Sequence, residues 1–135
     1  KGMGGALTRE KVVAAASKKL IIIADCTKKT MRLGENGQPV PIEVLPFAAA
    51  LVIRTINTLG GKAHVREGSG KVGPVITDNG NFIIDADFGP VENPAELERK
   101  LKEVPGIVET GLFIGMTDIA YIGSPGGVEK LERKK

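Results

Sequence analysis

The sequence predicts an α/β chain built in two parts, on three observations. A glycine-rich start leads into a helix and then into an unbroken apolar run, Leu20-Ile21-Ile22-Ile23-Ala24, as expected of a parallel strand buried on both faces. Over residues 41–114 strand-like and helix-like segments follow in the order β-α-β-β-α-β, the pattern of a split βαβ, ferredoxin-like unit. Asp118-Ile119-Ala120-Tyr121-Ile122-Gly123 then returns to the character of the first part, so the middle segment reads as an insertion.

The elements follow from local chemistry. Thr8 suits an N-cap, because its hydroxyl can accept from a free first-turn amide. Glu10 falls in that turn, where the macrodipole favours a negative charge. Val12, Val13, Ala14, Ala15 and Ala16 give the helix an apolar body, and Lys18 and Lys19 suit its end. The polar stretch 30–39, punctuated by Gly34, Asn36-Gly37 and Pro39, reads as a linker. Ile42-Glu43-Val44-Leu45 is a short strand, and Pro46 fits the first position of a helix in which Leu51, Val52, Thr55, Ile56 and Leu59 recur at helical spacing up to Gly60. Lys62, His64 and Arg66 alternate with Ala63 and Val65 along a strand with one wet face. Val75-Ile76-Thr77 and Phe82-Ile83-Ile84 flank Asn79-Gly80, predicting a hairpin with a type I′ turn. Asn93-Pro94-Ala95-Glu96 supplies an N-cap, an N1 proline and an N3 glutamate for a helix carrying Leu97, Leu101 and Val104. Ile107-Val108-Glu109 and Leu112-Phe113-Ile114 are expected to complete a strand, and residues 128–133 a short helix.

Composition sets outer bounds. At 135 residues the chain suffices for one domain or two small ones. Hydrophobic residues at 41% and charged residues at 26% are those of a globular protein. A net charge of +3 is too mild to imply nucleic acid, and four Phe with one Tyr make no stacking platform for bases. No apolar run approaches the ~20 residues of a membrane span, and no signal-peptide pattern is present. The single cysteine excludes an intrachain disulfide and fits a reducing compartment.

One stretch stands out chemically. In Lys1-Gly2-Met3-Gly4-Gly5-Ala6-Leu7-Thr8-Arg9-Glu10-Lys11, glycines let the backbone approach a ligand, and amides near a helix start attract anions. Lys28 follows the first strand, so one carboxylate and two ammonium groups converge on the ends of a helix and a strand. On the residues alone the pattern is weak, and a structural turn before a solvated Arg-Glu-Lys face is the more economical reading. Elsewhere, His64 is a lone histidine on a wet strand face and supports neither a triad nor a metal site. Asp85 and Asp87 share a strand face without a third ligand nearby in sequence. Asp78-Asn79-Gly80 is turn chemistry, Gly123-Ser124-Pro125-Gly126-Gly127 lacks the spacing and lysine of a phosphate loop, and Cys26 has no partner histidine.

The same stretch resembles the Lys-Gly-x-Gly-x-Ala-Leu-x-Arg-Glu-Lys signature of the type A ribose-5-phosphate isomerases. The match continues in order through Ile23-Ala24-Asp25 and Lys28, Pro41-Ile42-Glu43-Val44-Leu45-Pro46, Val75-Ile76-Thr77-Asp78-Asn79-Gly80-Asn81, Pro105-Gly106-Ile107-Val108-Glu109 and Gly111-Leu112-Phe113. The resemblance implies a doubly wound, Rossmann-like α/β domain, residues 1–40 and 115–135, interrupted by a ferredoxin-like α+β domain at 41–114. It further implies interconversion of ribose 5-phosphate and ribulose 5-phosphate in the pentose phosphate pathway, with Glu10 as general base. Lys1 and Lys28 would be substrate-contacting lysines, and Gly2, Met3 and Gly4 the backbone of the substrate loop, Met3 standing where the family usually has Gly or Arg. No metal or organic cofactor, nucleic acid or membrane partner is implied; a cytoplasmic homodimer or homotetramer is. A Gly-Thr-Gly-Ser-Thr-like phosphate loop and an Asp-Gly-Ala-Asp motif, which the family carries upstream, do not occur in this sequence. The expectation is therefore a C-terminal portion of a longer enzyme, and the alternative role is a non-catalytic module for folding and oligomerisation.

Overall fold

The computed structural model describes residues 4–70 and 72–133. In chain order the elements are α1 (Leu7–Ala16), β1 (Ile21–Asp25), β2 (Val40–Val44), α2 (Ala49–Thr58), β3 (Lys62–Val65), β4 (Phe82–Asp87), α3 (Pro94–Lys102), β5 (Ile107–Thr110), β6 (Ile119–Ser124) and β7 (Gly127–Glu132). They form a mixed α/β structure with two sheets, one of order β1-β6-β7 and one of order β3-β4-β2-β5. β1 runs parallel to β6, Ile21 opposite Ile119, whereas every pair in the four-stranded sheet is antiparallel. The β-α-β-β-α-β order expected over the middle segment is present, with β4 lying between β2 and β3.

β2 is buried along its whole length because both of its faces are covered. Ile42 and Val44, with Ile84 and Ala86 of β4, pack against Val52 and Ile56 of α2 and Leu101 of α3. Successive strand residues point to opposite faces, which turns Glu43 and its cross-strand partner Ile83 the other way. There α1 lies on the sheet. Its buried residues Leu7, Lys11 and Ala14 are spaced i, i+4, i+7, a single helical stripe. Gly5 passes so close that a Cβ there would stand 2.9 Å from Ile83 Cδ1. Ile56 has no exposed surface. Ile56→Ala is expected to cost ~2–5 kcal/mol, read from the denaturant midpoint, because the α2–sheet contact cannot collapse around the void.

Several local expectations are corrected. Thr8 does not cap α1: the helix begins at Leu7, Ala6 holds the N-cap position without a side-chain bond, and the Thr8 hydroxyl donates to Glu43 instead. β1 is not buried on both faces, since Ile21 and Ile23 are exposed while Ile22 and Ala24 are half-buried. It is an edge strand, and among the described residues nothing covers its outer face. Pro46 opens a short 3-10 turn (Pro46–Ala48) before α2. Val75-Ile76-Thr77 forms only an isolated bridge, Ile76 to Phe82. The turn is not type I′, because of its residues only Gly80 has positive φ, and the Gly80 amide donates to the Thr77 carbonyl at 2.9 Å. That is a three-residue Asp78-Asn79-Gly80 loop with glycine at its left-handed end. β5 stops at Thr110; the Gly111 amide still donates to the Pro41 carbonyl at 2.7 Å, but Leu112-Phe113-Ile114 is not part of the sheet. The expected helix at 128–133 is strand β7, paired antiparallel to β6 through a two-residue Pro125-Gly126 loop. The cap of α3 is as expected, Asn93 accepting from the Glu96 amide at 3.1 Å.

Candidate active site

Glu10 stands in the first turn of α1, between neighbours that are all fastened to the four-stranded sheet or its loops. Before it, Thr8 donates to Glu43 Oε2. Arg9 donates through Nε to Asn79 Oδ1 and through Nη2 to the Asp78 carbonyl, both at 3.0 Å. After it, Lys11 Nζ donates to Glu98 Oε1 at 2.7 Å and Glu109 Oε1 at 2.9 Å, and lies 5.3 Å from the centre of the Phe113 ring. Glu10 is exposed and lines a cavity of about 660 Å³ with Arg9, Ser17, Leu20, Ile22, Phe113 and Thr117.

Lys28 ends a 3-10 turn, Cys26–Lys28, that follows β1. Asp25 caps this turn by accepting from the amide of Thr27 at 2.9 Å and from its hydroxyl. Those two bonds, helped by the charge of Lys28, hold the Asp25 carboxyl below the usual carboxylate range. Lys28 lines a second cavity of about 470 Å³, with Thr27, Thr30, Asn36 and Gln38. Glu10 and Lys28 thus line separate, adjoining cavities that share Ile22 and Phe113. Lys1, Gly2 and Met3 lie outside the described residues. Gly4 is exposed with open space where a Cβ would sit.

Two groups of functional interest were not legible as such. Glu43 has no exposed surface. Its Oε1 accepts from Thr77 Oγ1 at 2.9 Å, Asn79 Nδ2 at 2.9 Å and Asn81 Nδ2 at 2.8 Å, while Oε2 takes the Thr8 hydroxyl. Burial pushes its carboxyl up, but the donors Thr8, Asn81, Asn79 and Thr77 outweigh burial and hold it below the usual range. Glu109 behaves alike, burial being outweighed by Lys102, Lys11 and the Thr110 amide. A carboxylate held low in the fold contributes stability that is present above its unfolded value and is lost as pH falls through the folded one. Stability is therefore expected to decline as pH drops below the ordinary glutamate value of 4.5, and less steeply in Glu109→Gln, as read by thermal melts across pH 3–6.

The other candidates have structural partners. Asp85 receives a bidentate Arg66, Nε to Oδ2 at 2.7 Å and Nη2 to Oδ1 at 2.6 Å, and Asp87 accepts from the Gly89 amide at 2.8 Å. His64 and Cys26 are exposed. Among the described residues no group of three or more His, Cys, Asp or Glu side chains could hold a metal ion, and no helix is long and apolar enough to cross a membrane.

The two-sheet α/β chain, with a carboxylate in the first turn of α1 lining a cavity, is similar in sequence and structure to ribose 5-phosphate isomerases. The family model of ribose 5-phosphate isomerase A (phosphoriboisomerase A) matches residues 1–127, and the chain belongs to that family. Ribose-5-phosphate isomerase A of Gloeobacter violaceus is 47% identical over 131 residues, covering 97% of this chain and 56% of the relative. That of Archaeoglobus fulgidus is 54% identical over 115 residues, covering 84% and 50%. Among solved structures, the Methanocaldococcus jannaschii enzyme superposes with a TM-score of 0.91 at 41% identity, covering 98% of this chain and 58% of that one. A D-ribose-5-phosphate isomerase in complex with phospho-erythronic acid superposes at 0.94 with 44% identity, again covering 98% and 58%. The chain spans about half the length of the curated relatives it matches.

Proposed function

We propose that this chain carries the proton-transfer half of a ribose-5-phosphate isomerase, which interconverts D-ribose 5-phosphate and D-ribulose 5-phosphate through an enediol(ate). Glu10 is the general base. Its carboxylate takes the C2 proton of the open-chain aldose, the released electron pair forms the C1=C2 bond, and O1 becomes an oxyanion. The hydroxyl proton passes from O2 to O1, and Glu10 returns its proton to C1 as the C2 carbonyl forms. Lys28 and Lys1 are the cations that stabilise the developing charge, a form of preorganised electrostatics that is often the largest catalytic contribution. Gly2, Met3 and Gly4 contact substrate through the backbone. No metal or organic cofactor takes part.

The single observation carrying this reading is Glu10 itself: a first-turn carboxylate that lines a cavity, in a chain of this family. Phospho-erythronic acid, held by one solved relative, has a carboxylate where an enediolate would carry its charge, which supports a sugar-phosphate substrate here. We read the four-stranded sheet with α2 and α3 as a ferredoxin-like insertion, residues 41–114, in a doubly wound domain formed by 1–40, 115–135 and further chain. A homodimer or homotetramer is the proposed assembly. The test is to follow ketopentose formation from ribose 5-phosphate with the 135-residue chain and with the full-length protein. Turnover in the full-length protein supports the reading and its absence overturns it; turnover there but none in the shorter chain would assign this portion the role of a folding and oligomerising module when alone.

A further inference from the structure

We infer that Glu43 is the positioning residue of the Glu10 carboxylate, acting through the Thr8 hydroxyl and the Asn79-Gly80-Asn81 loop; this rests on Glu10 being the base. Glu43 sits on the α1 side of β2, completely enclosed, with four neutral donors and, among the described residues, no cation on its oxygens. A carboxylate has about four lone-pair sites, and both oxygens are engaged, three donors on Oε1 and one on Oε2. Burying an ionised carboxylate is costly even when it is hydrogen-bonded, and its cross-strand neighbour Ile83 shows that an apolar side chain fits this face. Such networks, when fully satisfied, specify one arrangement of the elements they join.

What is joined here is the start of α1. The helix has no side-chain cap of its own, so its first turn is placed from outside. Thr8 binds Glu43 directly, and Arg9 binds Asn79, whose amide nitrogen is itself 2.9 Å from Glu43 Oε1. Two routes to the turn that carries Glu10 therefore end on one carboxylate, while Lys11, on Glu98 and Glu109, anchors the helix just beyond it. An apolar residue at position 43 would still pack, but it would release residues 8 and 9, so that the first turn could pivot about the Lys11 anchor. Successive residues around a helix differ by about 100° (3.6 per turn), so a small rotation is enough to swing residue 10 away from its cavity. Misplacement of a reacting group by about 1 Å can cost ~10²-fold in rate.

The experiment measures kcat, KM and thermal midpoint in the full-length protein for Thr8→Val, Thr8→Ser and Glu43→Gln, the last also combined with Glu10→Gln. Thr8→Val and Glu43→Gln are expected to lower kcat by ~10–100-fold with KM changed little. Thr8→Ser, which keeps the hydroxyl, should restore kcat. In the Glu10→Gln background Glu43→Gln should cost nothing more, because there is no base left to position. Unchanged kcat in Thr8→Val overturns the inference even if Glu43→Gln fails to fold. So does a loss from Glu43→Gln that is equally large with and without Glu10. Full turnover in Glu10→Gln alone would instead remove the base assignment, and this inference with it, a result readable from that single variant.

Discussion

Glu10→Gln in the full-length protein is expected to fold as the unsubstituted protein does and to turn over ~10²–10⁴-fold more slowly, the usual contribution of a positioned general base. The amide matches the carboxylate in shape and cannot accept a carbon-bound proton, so the loss should fall on kcat with KM little changed. Folding should be spared because residue 10 is exposed, the amide keeps the shape of the carboxylate, and bonds from residues 8, 9 and 11 to the rest of the fold are kept. Circular dichroism and a thermal melt check the fold, and a continuous assay of ketopentose formation checks the rate. Turnover within a fewfold of normal would take Glu10 out of the chemistry.

Lys11→Met is expected to carry a large stability effect. The Lys11 ammonium is enclosed between Glu98 and Glu109, its side chain 11% exposed and theirs 24% and 16%. Methionine matches the stem of lysine but leaves two carboxylates facing each other without their shared cation. Removing one partner of a buried pair costs ~3–5 kcal/mol. Here the partial exposure of both glutamates, and the second lysine on Glu109, at 2.8 Å from Lys102, favour the lower end. Urea unfolding gives the number. Most of the loss should be recovered by adding Glu98→Gln, which removes one of the stranded charges, and a loss below about 1 kcal/mol would show that the pair is screened like a surface bridge.

The parts of the fold that were legible are those whose signals are local. Asn93-Pro94-Ala95-Glu96 opens α3 because the cap, the proline and the first-turn glutamate act within one turn of the chain. Gly60, at φ +88°, closes α2 for the same reason. What misled were residues whose partners are distant in sequence. Thr8 has the chemistry of an N-cap, but Glu43, 35 positions away, takes its hydroxyl. Glu43 alternates with Ile42 and Val44, and a period of two places it on the face opposite the core. Nothing local says that α1 covers that face too. Lys11 read as solvated for a like reason, since both of its glutamates come from the far end of the chain. In β7 the apolar residues Val128 and Leu131 stand three apart, a helical spacing, and pairing to β6 overrides it. Glu10 and Lys28 were picked out in the sequence as candidate site residues, but their placement in adjoining cavities, with Ile22 and Phe113 lining both, depends on contacts distant in sequence.

The seating of α1 has a consequence for how the molecule opens. Chain order groups the helix with β1, yet its bonds run to β2, β5, α3 and the 77–81 loop. Backbone amides of α1 should therefore exchange with solvent deuterium in step with the four-stranded sheet, as one cooperative unit, while β1 follows a separate and faster course set by its pairing with β6.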